Sequence, residues 1–471
     1  MIDIDPIIDS FRRGALDLDC PRIVISQRRA GGARFVGPGY IRQDEDGALI
    51  FKLYVEMKEN AGPQVIFNTL IGGAAGTLFN DDELYDLSAT SVDGANWKAE
   101  RIAGIHPNWN MRDDTGVLNG RLHAIASAPL LPPAKPHRLR LHFFDEYQLP
   151  LHLGFLDADR LVPGMVRDRA EFDACGAHFT VKSRLGSGDT AVEASAETEL
   201  PPSFDLRIQE ALQYITGKSA IWRARVASSQ GMLILELASP RPKAVRTQFN
   251  PPLSPAAIEF NHRTWTLFER FLAYGARNTE ASDERGLWNA VAYHLYNARE
   301  STSASIDAWA IGVSVAVEAV VSVIELPDDR EKTESWVKFR KCALKWLDEQ
   351  HAHSDYVKKR AKKLIENTGS KGTKQKLREL AEKGYVDKKY VDAWDRLRNR
   401  HVHPNLTDLK LPGPTEYREL FQRLWQVGTL LHQLTFYIIG YKGPFTDYGR
   451  AGCVSRQYPL SEQNDNVGET P

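Results

Sequence analysis

Ala238-Ser239-Pro240-Arg241-Pro242, followed by Pro251-Pro252-Leu253-Ser254-Pro255, divides this chain into two kinds of sequence. Proline fixes φ and removes a backbone donor, so such a cluster suits an extended strap or interdomain linker. Before it, apolar residues alternate with polar ones, as in Ala48-Leu49-Ile50-Phe51-Lys52-Leu53-Tyr54-Val55, His137-Arg138-Leu139-Arg140-Leu141-His142-Phe143 and Met232-Leu233-Ile234-Leu235-Glu236-Leu237. A period of two is the mark of half-buried strands. Gly72-Gly73, Asp93-Gly94 and Gly186-Ser187-Gly188 supply turns between them. One helix interrupts the pattern, Phe204 to Ile215, with Gly217 placed as a C-terminal cap.

Beyond the prolines the apolar spacing changes to three and four. Helices are expected near 257–274, 283–300, 303–325, 333–349, 353–367, 373–383, 387–403 and 415–439. Leu420, Leu424, Val427, Leu431, Leu434 and Ile438 form one long stripe in the last of these. The expected fold is therefore α+β and multidomain: a β-rich domain, sandwich or barrel-like, over 1–245, a linker over 246–256, a helical bundle over 257–445 and a C-terminal tail over 446–471, polar and mobile after Leu460.

At 471 residues the chain exceeds what one core supports, and 42% apolar with 26% charged residues is ordinary for a folded protein. The acidic start Met1-Ile2-Asp3-Ile4-Asp5 has neither a basic segment nor an apolar run of the secretory kind, so a cytoplasmic location is expected. Ala308 to Leu326 is strongly apolar, but Glu318 and Glu325 interrupt it. Ile306, Ala310, Val313, Val317, Val320 and Ile324 make it a buried helix and not a membrane span. Cys20, Cys175, Cys342 and Cys453 form no CxxC pair; reduced, mostly packed thiols are expected, with neither zinc nor disulfides.

The net charge of −1 conceals an asymmetry: residues 330–400 hold 21 Lys and Arg against 11 Asp and Glu. Lys358, Lys359, Arg360, Lys362 and Lys363 concentrate it and suit RNA phosphates, although a solvated helical face has the same composition.

Several familiar motifs fail. Gly217-Lys218-Ser219 lacks the first glycine of a P-loop, Leu212 standing in its place, and follows a helix instead of opening one. Gly186-Ser187-Gly188-Asp189-Thr190-Ala191 has no βαβ context, no GxSxG elbow occurs, and His351-Ala352-His353 lacks partners at ligand spacing.

The run Trp394 to Asn405 is different. Val391, Trp394 and Leu397 form a buried stripe, leaving Arg398, Asn399 and His403 on other faces of the same helix. Pro404 disfavours helical geometry at His403, so the helix should end there and the imidazole can turn back toward Arg398. Such a histidine can take the proton of an RNA 2′-hydroxyl while the arginine holds the adjacent phosphate, chemistry that requires no metal and no cofactor. The products would be a 2′,3′-cyclic phosphate and a 5′-hydroxyl. An arginine and a histidine at a helix end also serve simply as caps. His401, three residues from Arg398, is a supporting or exposed residue on this reading. Glu318 is either an acidic partner lining the cleft or one half of a structural ion pair.

Arg398-Asn399-Arg400-His401-Val402-His403 resembles the signature of HEPN-domain endoribonucleases. Leu287-Trp288-Asn289-Ala290-Val291-Ala292-Tyr293-His294 and Ala316-Val317-Glu318-Ala319-Val320 look like the first two helices of the ApeA-like HEPN branch, which a β-rich N-terminal region also fits. The resemblance implies His403 as general base, Arg398 as phosphate-binding electrophile and Asn399 as orienting group; Arg400 joins the lysines of 358–363 as a candidate RNA contact. It further implies a homodimer or higher homo-oligomer with a composite cleft, tRNA or mRNA as substrate, a role as a toxin or in anti-phage defence, and a phage-derived or cellular trigger. Two other readings remain at this point: a HEPN-type module that binds nucleotide or RNA without cutting, and an adaptor in which the bundle only dimerises.

Overall fold

The computed structural model describes residues 4–56, 79–110, 115–127, 137–157, 164–183, 188–229, 232–241, 249–278, 288–326, 329–349, 354–367, 371–402 and 413–460. Gly72-Gly73, Gly186-Ser187, His351-Ala352-His353, His403, Pro404 and the tail after Leu460 lie outside them. The chain is α+β and divides into two compact units: residues 1–205 with 220–243, and residues 206–219 with 244–471.

The first unit opens with a helix, α1 (Ile4–Arg12), that buries Ile4, Ile8 and Phe11. Its strands are β1 (Asp17–Gln27), β2 (Arg34–Gln43), β3 (Leu49–Glu56), β4 (Tyr85–Thr90), β5 (Asn96–Ile102), β6 (His106–Asn110), β7 (Thr115–Leu122) and β8 (Ala124–Ser127). They continue with β9 (His137–Phe143), β10 (Leu153–Asp157), β11 (Gly164–Ala174), β12 (Ala177–Ser183), β13 (Thr190–Ala196), β14 (Ala224–Ser229) and β15 (Met232–Ala238). All fifteen join one ladder in the order β10-β11-β12-β13-β9-β14-β15-β8-β5-β4-β1-β2-β3-β7-β6. Neighbouring strands pair antiparallel, as expected for strands joined by short turns. The β-rich domain, expected as a sandwich or barrel-like, is one continuous ladder among the described strands. Inward residues of β1–β5, β7, β8, β14 and β15, including Ile25, Phe35, Phe51, Trp97 and Leu235, share one cluster with α1, so the sheet bends about its own core. The alternation seen in the sequence is this burial pattern, as in Thr190–Ala196, where every second residue is buried.

The second unit is helical: α2 (Phe204–Thr216), α3 (Phe260–Arg277), α4 (Ala290–Ser301), α5 (Ile306–Ser322), α6 (Asp329–Glu349), α7 (Asp355–Asn367), α8 (Thr373–Glu382), α9 (Lys388–His401) and α10 (Pro414–Ile439). α10 is its axis. Leu420, Leu424, Val427, Leu431 and Leu434 are buried as the stripe requires, and Thr429, His432, Gln433 and Thr435 are buried as well, so the C-terminal half is enclosed on nearly all sides. Gly440, at φ +65°, ends the helix in the left-handed conformation that glycine adopts without strain.

Two features depart from the sequence reading. α2, flanked by strands in the chain, packs with the helices: Tyr214 stacks on Phe271 with ring centroids 4.6 Å apart, and Glu210 accepts from the backbone N–H of Asn289 at 2.8 Å. Part of the segment expected to be a tail forms a hairpin, β16 (Gly443–Asp447) with β17 (Val454–Tyr458). Its Asp447 is fully buried, accepting from Tyr390 on α9 at 2.5 Å and from Arg456 at 2.9 Å. No disulfide joins the four cysteines. Cys20 is buried, whereas Cys342 and Cys453 are exposed and not packed.

Candidate functional site

α9 is set in place by ordinary means. Asp387 caps its N-terminus by accepting from Lys389 N at 3.0 Å, and Tyr390, Val391, Ala393, Trp394 and Leu397 form its buried face. Trp394 Nε1 donates to the Ser314 carbonyl of α5 at 3.2 Å, and His401 Nδ1 lies 3.0 Å from Asp307 Oδ1 at the start of α5. Seven residues separate the two anchors on each helix, in opposite order, so α5 and α9 run antiparallel where they touch.

Arg398 forms an ion pair through Nε with Glu318, near the other end of α5. Its guanidinium lies 5.9 Å from the centre of the Trp394 ring, one turn back. Helical side chains lean toward the N-terminus, which explains the direction. Asp307 and Glu318 are eleven residues apart, or about 16 Å along a helix, so the guanidinium is turned away from the helix end at which His403 follows. The expected approach of the His403 imidazole to Arg398 lies outside the described residues. The side chains of Arg398 and Glu318 are 30% and 33% exposed, so solvent reaches the pair. The ion-pair reading of Glu318 describes the contact, and it also fits an acidic group lining the place where Arg398 would act.

Asn399 and Arg400 are exposed on the following turn, and neither side chain makes a hydrogen bond among the described residues. The helix stops at His401, with Val402 N donating to the Arg398 carbonyl at 2.8 Å. That is two residues short of Pro404, as the pre-proline restriction favours. His401 is not exposed, contrary to one expectation: its side chain is 8% exposed, and burial holds its pKa below the usual 6.5 against the opposing pull of Asp307. A neutral imidazole facing a carboxylate carries its proton on Nδ1, leaving Nε2 as a lone-pair acceptor. Nε2 has no hydrogen-bond partner among the described residues. Asp307 was invisible to sequence reasoning because 94 positions separate it from His401. The placement of Trp394 four residues before Arg398 was readable from helical spacing.

On α7, Lys359 and Lys363 are exposed, Lys358 is half-buried, and Lys362 pairs with Asp348 of α6. None of these four bonds to Arg398, whose ion-pair partner is Glu318. A separate recess is lined by Glu210, Tyr214, Phe271, Tyr296 and Arg299, among others. Its charges are internally matched: Arg207 Nη1 donates to both Glu210 oxygens at 2.9 and 2.8 Å, and Arg299 sits on Tyr296, 4.6 Å from the ring centre, while donating to Gln213 and Glu300. This network binds α2 to α4. Among the described residues no group of His, Cys, Asp and Glu is arranged to hold a metal, and no helix is long and apolar enough to cross a membrane.

Comparison with protein-family models, with curated proteins and with solved structures found no match. The chain is thus defined by its own architecture: an antiparallel unit with fifteen strands among the described residues, and a helical unit with a polar site at the C-terminus of α9.

Proposed function

We propose that the protein is a HEPN-type endoribonuclease that cleaves RNA at the α9 terminus through attack of the 2′-hydroxyl. The observation that carries this reading is Arg398: a partly exposed guanidinium, backed by Trp394 and balanced by a single carboxylate, with Asn399 and Arg400 open to solvent beside it. A phosphate diester can replace Glu318 on that guanidinium and gain a bidentate pair. His403 is then the general base and Asn399 the orienting group, as the resemblance of the motif implies. The same resemblance implies that the working cleft is shared by a pair of chains. tRNA or mRNA as substrate, anti-phage defence or toxicity as context, and a phage-derived or cellular trigger follow from the same resemblance.

A second assignment of the base has its own support. His401 is oriented through Nδ1 by Asp307, as a histidine base would be, and its Nε2, buried and without a hydrogen-bond partner among the described residues, would have to be uncovered to reach a 2′-hydroxyl.

Total tRNA and mRNA incubated with the purified chain in EDTA, beside Arg398→Ala, His403→Ala and His401→Ala, test the reading. Cyclic-phosphate ends are expected from the wild type and are lost in Arg398→Ala and in one of the two histidine variants. Cleavage persisting in Arg398→Ala and in both histidine variants would overturn the site assignment. RNA retention without any cutting would favour the binding module.

A further inference from the structure

Within the helical unit, the hairpin of α6 and α7 buries least: Leu347 is the single buried side chain among those described on its two helices. Its charge is unevenly distributed along the two helices. Residues 337–347 contain four Lys or Arg and no Asp or Glu, and residues 356–365 contain five and none. Among these cations stand three exposed aromatics, Phe339 at 56%, Trp346 at 59% and Tyr356 at 71%. A Lys-rich helix needs no special explanation, and neither does one stray exposed apolar residue; the two together do.

Helix geometry orders them. Phe339 and Trp346 are seven apart and share a face, with exposed Cys342 between them. One residue over, Lys338, Lys341 and Lys345 form a parallel row, so a line of charge about 10 Å long runs beside a line of aromatic rings. On α7, Tyr356 shares its face with Lys359 and Lys363 in the same way.

We propose that this hairpin is a binding surface for single-stranded RNA. The inference rests on the RNA-cleaving reading of the α9 site for its choice of nucleic acid, but it concerns a different surface. Phosphates match the cations, of which Lys362 alone pairs with a carboxylate, Asp348, among the described residues. Unpaired bases offer the π-faces that exposed Phe, Trp and Tyr accept, whereas duplex bases are stacked away from them. A second copy of the hairpin is a poorer match, since residues 329–367 hold eleven Lys and Arg against seven Asp and Glu and two such surfaces repel. The hairpin is inserted in the chain between α5, which carries Glu318, and α8–α9, which carries Arg398, so strand held there is tethered to the element bearing the scissile site.

The test uses the full chain carrying Arg398→Ala, so that RNA is not consumed, titrated against a fluorescein-labelled oligouridylate of about twenty nucleotides, longer than one single-strand site. Trp346→Ala should weaken binding about tenfold, as removal of one stacked base does, and Trp346→Tyr should restore most of it. Lys338→Glu with Lys345→Glu should weaken binding and flatten the salt dependence, by about 0.7 in log–log slope for each phosphate no longer neutralised. Affinity unchanged in all these variants overturns the proposal. So does hairpin-dependent binding to phosphatidylserine vesicles with no binding of the oligouridylate, which would mark a membrane-surface element. Hairpin-dependent binding by a chain that cuts no RNA would uphold this inference and remove the nuclease reading. Cutting with a KM insensitive to every hairpin variant would do the reverse.

Discussion

At the scale of single residues, the state of Arg398 decides how the site works. Glu318 satisfies the guanidinium now, and a phosphate must displace it. Both partners are about one-third exposed, so solvent screens the pair and its loss should change stability by less than about 1 kcal/mol. Glu318→Gln should therefore melt close to the wild type while cleaving RNA faster, by up to about fivefold if all of that roughly 1 kcal/mol is competition with the phosphate. A fall in rate matching that of Arg398→Ala, measured as initial cleavage velocity, would instead make Glu318 a positioning residue. A second residue carries the pH dependence of folding. His432 lies in the C-terminal half of α10, donating through Nε2 at 3.0 Å to the Asn250 carbonyl, and burial pushes its pKa down to about 4. Its folded value is depressed below the unfolded 6.5, so the unfolded chain takes up the proton first as pH falls. Stability is lost between about pH 6.5 and 4, by on the order of 3 kcal/mol for a shift of that size. Glu210, pushed up to about 7 by burial, acts in the opposite direction over an overlapping range. Comparing denaturation of wild type and His432→Phe at about pH 7 and about pH 4.5 cancels that shared contribution, and equal pH slopes would refute the assignment.

At the scale of elements, α2 shows where physical chemistry puts its largest stake. Arg207 and Glu210 are 3% and 1% exposed and one turn apart, and Glu210 also receives the N–H of Asn289, the cap of α4. Removing the carboxylate strands a buried cation. Glu210→Ala should cost about 3–5 kcal/mol, whereas Arg207→Leu with Glu210→Met should recover most of it. Urea unfolding followed by far-UV circular dichroism reads both, and a single variant as stable as the double would show that the pair is not desolvated. The same helix shows how far the sequence could be read. Its extent was legible because apolar spacing and Gly217 bracket it, and Gly217 is required: at φ +64° a Cβ would also meet the Phe249 carbonyl at 2.8 Å. Its destination was not legible, since a 3.6 period reveals which face is apolar but not which core receives it. α1 is readable in principle from Ile4, Ile8 and Phe11 at steps of four and three, but its 9 residues make so few turns that the stripe does not stand out. The β16–β17 hairpin escaped because each strand has five residues, too few for alternation to stand out. At the site, α9 and its buried stripe were readable, while the partners of Arg398 and His401 come from α5, about 80 to 94 positions upstream, and no local pattern encodes such a meeting.

At the scale of the whole molecule, the division into units does not follow the chain. Residues 206–219 belong to the helical unit although β-strand segments flank them on both sides, so the chain passes between units at 205–206, 219–220 and 243–244. The proline-rich boundary, the natural place to cut by sequence, therefore severs only the last crossing. A fragment beginning at residue 244 would keep α3 to α10 but lose α2, and with it the stacking of Tyr214 on Phe271, the ring contact of Tyr214 with His432 and the anchor on Asn289. Phe271 is 1% exposed and His432 3% exposed in the intact protein; both would open to water. Uncovering Phe271 alone forfeits about 1.5–3 kcal/mol, a large share of the roughly 5–15 kcal/mol that typically holds a domain together. The fragment should accordingly show a broad, low-temperature transition and bind a hydrophobic dye. The same fragment preceded by residues 204–219 on a flexible Gly-Ser linker should recover a cooperative transition. Equal melting behaviour of the two fragments, measured by calorimetry, would mean that α2 is accessory to the helical unit and not part of its core.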